Sequence, residues 1–66
     1  MEYGDRVEVV DAIDNKLVRV VIEVDEEVVF VTRPEELEQS QSEHREPVCI
    51  GFRMSDVIRI LPTNTI

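Results

Sequence analysis

The chain has no tryptophan, one cysteine, one histidine, two glycines and one lysine in its 66 residues. Each scarcity removes a class of explanation. A lone Cys49 cannot close a disulfide within the chain, and Cys49 and His44, the only soft ligands, cannot build a zinc cluster. Three aromatic residues are too few for the stacking stripes on which single-stranded nucleic acids are held. Positive charge is scarce as well. Seven basic residues against fifteen acidic ones leave a net charge of −8, which repels phosphates, so nucleic acid is not expected as a partner. No segment approaches the roughly 20 apolar residues of a membrane span, and the opening MEYGDRVEVV lacks the basic and apolar regions of a signal peptide. A cytoplasmic protein with no membrane contact is expected.

What is present is valine and isoleucine in strand-like runs. Residues 6–13 alternate, with Val7 and Val9 on one face and Glu8 on the other. Asp14 and Asn15 supply turn chemistry, since both tolerate left-handed backbone. In the second strand, 17–24, Val18, Val20, Ile22 and Val24 form the expected core face, opposite Leu17, Arg19, Val21 and Glu23. The third strand, 28–32, follows the acidic tip Asp25, Glu26 and Glu27. A three-residue loop pairs Val24 with Val28 and turns Phe30 inward; a four-residue loop pairs Val24 with Val29 and turns Val29 and Val31 inward. The scarcity of aromatics favours burying Phe30.

Residues 33–47 change character, with Leu37 and few other apolar groups among charges, Gln and Ser. Thr32 is placed to cap a short helix over 34–41, with Pro34 in its first turn and Glu35 and Glu36 where the helix dipole favours acids. The alternative is a mobile functional loop. Residues 48–54 return to alternation, with Val48, Ile50, Phe52 and Met54 on one face and Cys49, Gly51 and Arg53 on the other. Gly51 marks a bulge or a close backbone approach. A tight turn at Met54, Ser55 and Asp56 leads into a last strand, 57–61. One domain over 1–62 with a loose tail over 63–66 is expected.

Five short strands joined by hairpins predict an all-β, partly open, five-stranded small barrel, because a lone flat sheet of this size leaves one apolar face wet. The run Gly51-Phe52-Arg53-Met54-Ser55-Asp56-Val57-Ile58 resembles the end of Src-homology-3-like barrels, where a strand passes through a short helical turn into the final strand. Gly4-Asp5-Arg6-Val7-Glu8-Val9 is similar to the opening strand of Tudor and ribosomal-type members of that class. The resemblance implies a fold and no site. Its peptide-binding members use paired tyrosines, a tryptophan and a proline, where this chain has only Tyr3 and puts Met54 at the proline's place.

Candidate chemistry is sparse. His44, between Glu43 and Arg45, reads as a general base, a pH-sensitive contact or a solvated loop residue. Cys49 near Arg53 reads as an activated thiolate or an inert thiol. Asp25, Glu26 and Glu27 lack the spacing and glycine of a calcium loop, so no metal, cofactor or catalytic residue is assigned. Glu35, Glu36, Glu38, Glu43 and Glu46 form either an acidic surface for a partner or a solubilising loop. Val10, Ala12, Leu17, Val21 and Cys49, on presumed outer faces, make an apolar patch covered either by Leu37 of the long loop or by a second copy.

A chain this short buries only about 60% of the surface it exposes when unfolded, and a partner subunit is a common remedy. The expectation is therefore a non-enzymatic protein-binding module, homodimeric or accessory to another protein. Its candidate contacts are Glu35, Glu36, Leu37, Glu38, His44 and Arg45 in the polar segment, with Val10, Leu17 and Val21 on the strand face. The alternative is a nucleic-acid-associated small barrel or an acidic regulator that mimics phosphates.

Overall fold

The computed structural model describes residues 1–62; the expected loose tail over 63–66 lies outside the described residues. Five antiparallel strands, β1 (Arg6–Val10), β2 (Lys16–Asp25), β3 (Val28–Thr32), β4 (Ile50–Arg53) and β5 (Val57–Ile60), form one sheet in the order β4-β3-β2-β1-β5. A helix, α1 (Pro34–Ser42), joins β3 to β4, and a single 3-10 turn (Met54–Asp56) joins β4 to β5. This is a small, partly open, five-stranded barrel of the Src-homology-3-like type. Among the described residues no helix is long and apolar enough to cross a membrane.

The sheet curls because β2 serves two partners. Its first half pairs with β1 and its second half with β3, and Val20 stands opposite both Arg6 and Thr32. The register then slips. Val21 faces Val31 and Glu23 faces Phe30, so Ile22 is an extra residue in the ladder. Such a bulge increases local twist and shifts the inward face by one position. Directly opposed residues share a face, so Val7 and Val9, opposite Arg19 and Leu17, draw the odd-numbered residues of β2 inside.

That overturns the core face expected for β2. Val21 is fully buried and Leu17 packs against the core, whereas Val18 and Val24 are exposed. Val20 is buried on the opposite face, as are Thr32 and Ser40 of α1, the helix that rests against β2. The core proper is Val7, Val9, Val21, Val29 and Val31, with Leu17, Phe52, Met54 and Val57 around it. Leu17 and Val21 are thus interior residues and form no outer patch with Val10.

At the hairpin tip Asp25 pairs with Val28 and Val24 with Val29, which turns Val29 and Val31 inward. Glu26, at φ 47, absorbs the tight reversal. The expectation that Phe30 points inward is therefore corrected. Its ring lies on the outer face over Gly51, where an added Cβ would stand 3.3 Å from Phe30 Cε1 and 3.2 Å from Val28 Cγ1. The close approach anticipated at Gly51 is made by these side chains, and β3 and β4 pair without a bulge. The 3-10 turn is anchored to the same hairpin, because the Met54 N–H donates to the Glu27 carbonyl at 2.7 Å.

The first strand ends at Val10, short of the predicted residue 13, because Asp11 organises the following turn. Its Oδ1 accepts from the N–H groups of Ile13 (3.0 Å) and Asn15 (2.9 Å), and Asp14 takes the left-handed conformation at φ 63. The Asn15 N–H, foremost, holds the Asp11 carboxyl below its ordinary range.

Two valine truncations within β3 test this register. Val31→Ala, at a side chain 1% exposed, is expected to cost about 2 kcal/mol in urea denaturation, and Val28→Ala, at one 36% exposed, less than about 1 kcal/mol. Equal losses would contradict the inward face assigned to β3.

Candidate functional site

Residues 33–47 fold as a helix closed by a polar clasp. The N-cap is Arg33, not Thr32, and no side chain caps the first turn. The Thr32 hydroxyl instead donates to the Val48 carbonyl at 2.9 Å, because Thr32 still belongs to β3 and faces the chain returning from the helix. Glu35 and Glu36 occupy the first turn as the helix dipole favours. At the other end the Arg45 N–H donates to the Ser40 carbonyl and the His44 N–H to the Gln41 carbonyl, with His44 at φ 55. This is the Schellman arrangement, and His44 stands where glycine usually does.

Arg45 fastens this end of the helix to its beginning. Its Nη1 lies 2.7 Å from Glu36 Oε2, its Nη2 3.4 Å from Glu36 Oε1, and its Nε 2.7 Å from Glu43 Oε1. Glu36 Oε2 also accepts from the Val48 N–H at 2.9 Å, so one carboxylate ties α1 to the strand approaching β4. The Arg45 hydrogen bond, followed by that N–H, holds the Glu36 carboxyl at about 2. Glu43 is lowered by Arg45 and then by Gln39, whose amide donates to it at 2.9 Å. Arg45 is correspondingly raised, first by Glu36 and then by Glu43. Two of the five carboxylates expected to form an acidic surface are thus internally engaged, whereas Glu35, Glu38 and Glu46 face solvent.

Beside this clasp the barrel is open. A groove of about 520 Å³ runs between β4 and the β1–β2 hairpin, with Leu17, Val31, Ile50 and Phe52 as its apolar lining and Asp11, Arg19, Arg33 and Glu36 at its rim. Beside it, along β4, a more open hollow is bounded by Val10, Ala12, Arg53 and Asp56. The two hollows share Asp11, Ile50 and Phe52. Val48 and Ile50, expected to point into the core, are 72% and 63% exposed, because β4 is an edge strand and its first residue reaches only the rim.

The candidate contacts scatter. Leu17 and Glu36 line the groove, and Val10 lines the neighbouring hollow. Val21 is in the core, Leu37 is half-buried, and Glu35, Glu38 and His44 are exposed on the helical segment, with Arg45 in the clasp. Arg19, Arg33, Ile50 and Phe52 were not among the expected contacts, although the apolar alternation through 48, 50 and 52 was visible. Which edge of the sheet that alternation borders depends on strand order, which single-strand patterns do not carry.

Cys49 offers no activated nucleophile. Burial pushes its thiol up, the Glu46 and Glu23 carboxylates push it further, and Sγ lies 3.4 Å from the Pro47 carbonyl. No group of three His, Cys, Asp or Glu side chains able to hold a metal occurs among the described residues.

No protein-family profile, curated protein or solved structure matches this chain. The reading of the site therefore rests on its geometry.

Two variants test the clasp. Replacing His44 with glycine is expected to raise stability by roughly 1 kcal/mol in thermal denaturation, since it removes the Cβ that the left-handed backbone brings close to the following carbonyl. Glu36, ordinarily at 4.5 and held at about 2 when folded, contributes stability that is complete above its unfolded value and lost as pH falls toward about 2. Glu36→Gln should flatten that part of the acid limb in denaturation curves taken at successive pH values. An unchanged slope between pH 4.5 and 2 would remove Glu36 from the linkage.

Proposed function

We propose that this chain is a small protein-binding module, and that its contact surface is the groove along β4 with the helical segment beside it. Charge placement supports the reading most directly. Of seven basic residues, Arg45 and Arg59 are ion-paired among the described residues, which leaves five. Three of these five, Arg19, Arg33 and Arg53, line the groove of a chain whose net charge is −8. They flank exposed apolar side chains at Val48 and Ile50. An apolar floor with a few convergent polar groups is the ordinary composition of a recognition site. The acidic excess of the chain as a whole suits solubility.

A displayed random-peptide library checks this reading against the immobilised chain and two variants. Enriched peptides should bind Ile50→Glu at least tenfold more weakly and Glu26→Lys, at the distant hairpin tip, unchanged. Ile50 is exposed, so its variant retains the fold, which circular dichroism verifies. Absence of enrichment on the unmodified chain, or equal retention by Ile50→Glu, would overturn the module.

A further inference from the structure

The other face of the sheet carries a hollow of its own. It measures about 500 Å³ and is lined by Ile22, Glu23, Phe30, Glu46, Pro47 and Cys49. Strand register builds its floor. Glu23 stands directly opposite Phe30, and Phe30 directly opposite Gly51, so the three form one row across β2, β3 and β4. That row lies on the face away from Val31 and Ile50 of the groove, because successive strand residues alternate. Gly51 has no side chain, and the Phe30 ring leans over it.

The wall comes from the chain returning after α1, and hydrogen bonds fix it. The Val48 N–H donates to Glu36 Oε2 and the Thr32 hydroxyl to the Val48 carbonyl, each at 2.9 Å. Arg45 Nη1 donates to the Glu46 carbonyl at 3.3 Å. Between these anchors Pro47 restricts the backbone further. Glu46 is thereby held beside the same hollow as Glu23, from which it is remote in sequence.

The charge of this hollow has one sign. No basic residue among the described residues lines it, and neither Glu23 nor Glu46 is ion-paired. Burial, then Glu46, Glu23 and Glu36, push the Cys49 thiol up, with no basic group opposing them. Arg45, next to Glu46 in sequence, is engaged by Glu36 and Glu43. Arg53, two residues beyond Gly51, borders other hollows instead. No three metal-binding side chains meet among the described residues, so the complementary cation is not a metal ion. Ile22, Phe30 and Pro47 instead suit a cation carried on an apolar stem, as in lysine and arginine, and an aromatic ring adds its own attraction for such a group.

We infer that this hollow receives a basic side chain of a partner protein, its stem over Ile22, Phe30 and Pro47 and its cation between Glu23 and Glu46. The site lies on the face away from the proposed groove and does not depend on that reading.

Nuclear magnetic resonance titrations of the full chain test it with capped, glycine-flanked tripeptides of arginine, lysine and citrulline, the last having the shape of arginine without its charge. A single side chain binds in the millimolar range. Either basic tripeptide should saturably shift the amides of Ile22, Glu23, Phe30 and Cys49, and the tighter one names the side chain. Citrulline should bind at least tenfold more weakly than arginine. Glu23→Gln combined with Glu46→Gln should erase that difference, whereas Glu35→Gln combined with Glu38→Gln should preserve it. All four positions are exposed, and circular dichroism verifies the fold of both variants. Equal binding of arginine and citrulline, or absence of saturation by either basic tripeptide, would overturn the inference. Equal losses in the two double variants would reduce the effect to the net charge of the chain and overturn it too. Ile50→Glu, the variant that tests the groove, should leave arginine binding unchanged; a loss there would move the basic side chain to the groove, against the inference.

Discussion

Five valines from three strands have to meet on the inside of one curled sheet, and the rest of the molecule depends on that meeting. Valine is stiff about its first side-chain torsion and packs well on pleated surfaces, but it is small. A core of Val7, Val9, Val21, Val29 and Val31 therefore tolerates little separation between its walls. Val21 links them, sharing a face with Leu17 and Arg19 opposite β1 and standing directly opposite Val31 of β3. Beyond that pair the bulge at Ile22 switches parity, so that Val24, opposite Val29, falls on the same face as Val21. Leu17, Phe52, Met54 and Val57 then close the rim of this narrow interior.

Around so small a core, local hydrogen bonding decides where the connections lie. Asp11 sets the first turn, Glu26 the second, and the Schellman end of α1 with Arg45 and Glu36 sets the third. Ion pairs on exposed surfaces are individually weak. Glu36 differs because the same carboxylate also receives a main-chain N–H from Val48 and is largely covered. The helix is thereby held at one wall of the groove instead of crossing it, and β4 is left as an open edge. The same feature that steadies the connection thus keeps the proposed contact surface accessible.

Much of the fold was legible in the sequence. Alternation through Val7 and Val9, the polar break after Thr32 and the turn at Met54, Ser55 and Asp56 located the elements, and their number implied a barrel. The inward faces were harder to read, for a physical reason. β2 carries apolar residues at both parities, so period-two patterning cannot choose between them, and the bulge switches parity midway. Phe30 misled because burial of an aromatic ring is ordinarily favourable, yet a glycine on the neighbouring strand gives the ring a seat outside. The groove was legible only in fragments. Val10, Leu17 and Glu36 were singled out separately, but nothing local connects them with Arg19, Arg33 and Ile50, which sheet order alone makes neighbours.

The acidic hairpin tip at Asp25, Glu26 and Glu27 has a further consequence when set against the arginines of the groove. Like charges crowded at a tight reversal repel, and added electrolyte, with a screening length of about 10 Å at 0.1 M, relieves them. The same electrolyte weakens attraction between guanidinium groups and a visiting carboxylate. Ionic strength therefore acts in opposite senses on the two halves of this molecule's behaviour. The medium that relieves the hairpin tip most is not the one in which the arginines of the proposed contact surface would attract a carboxylate best.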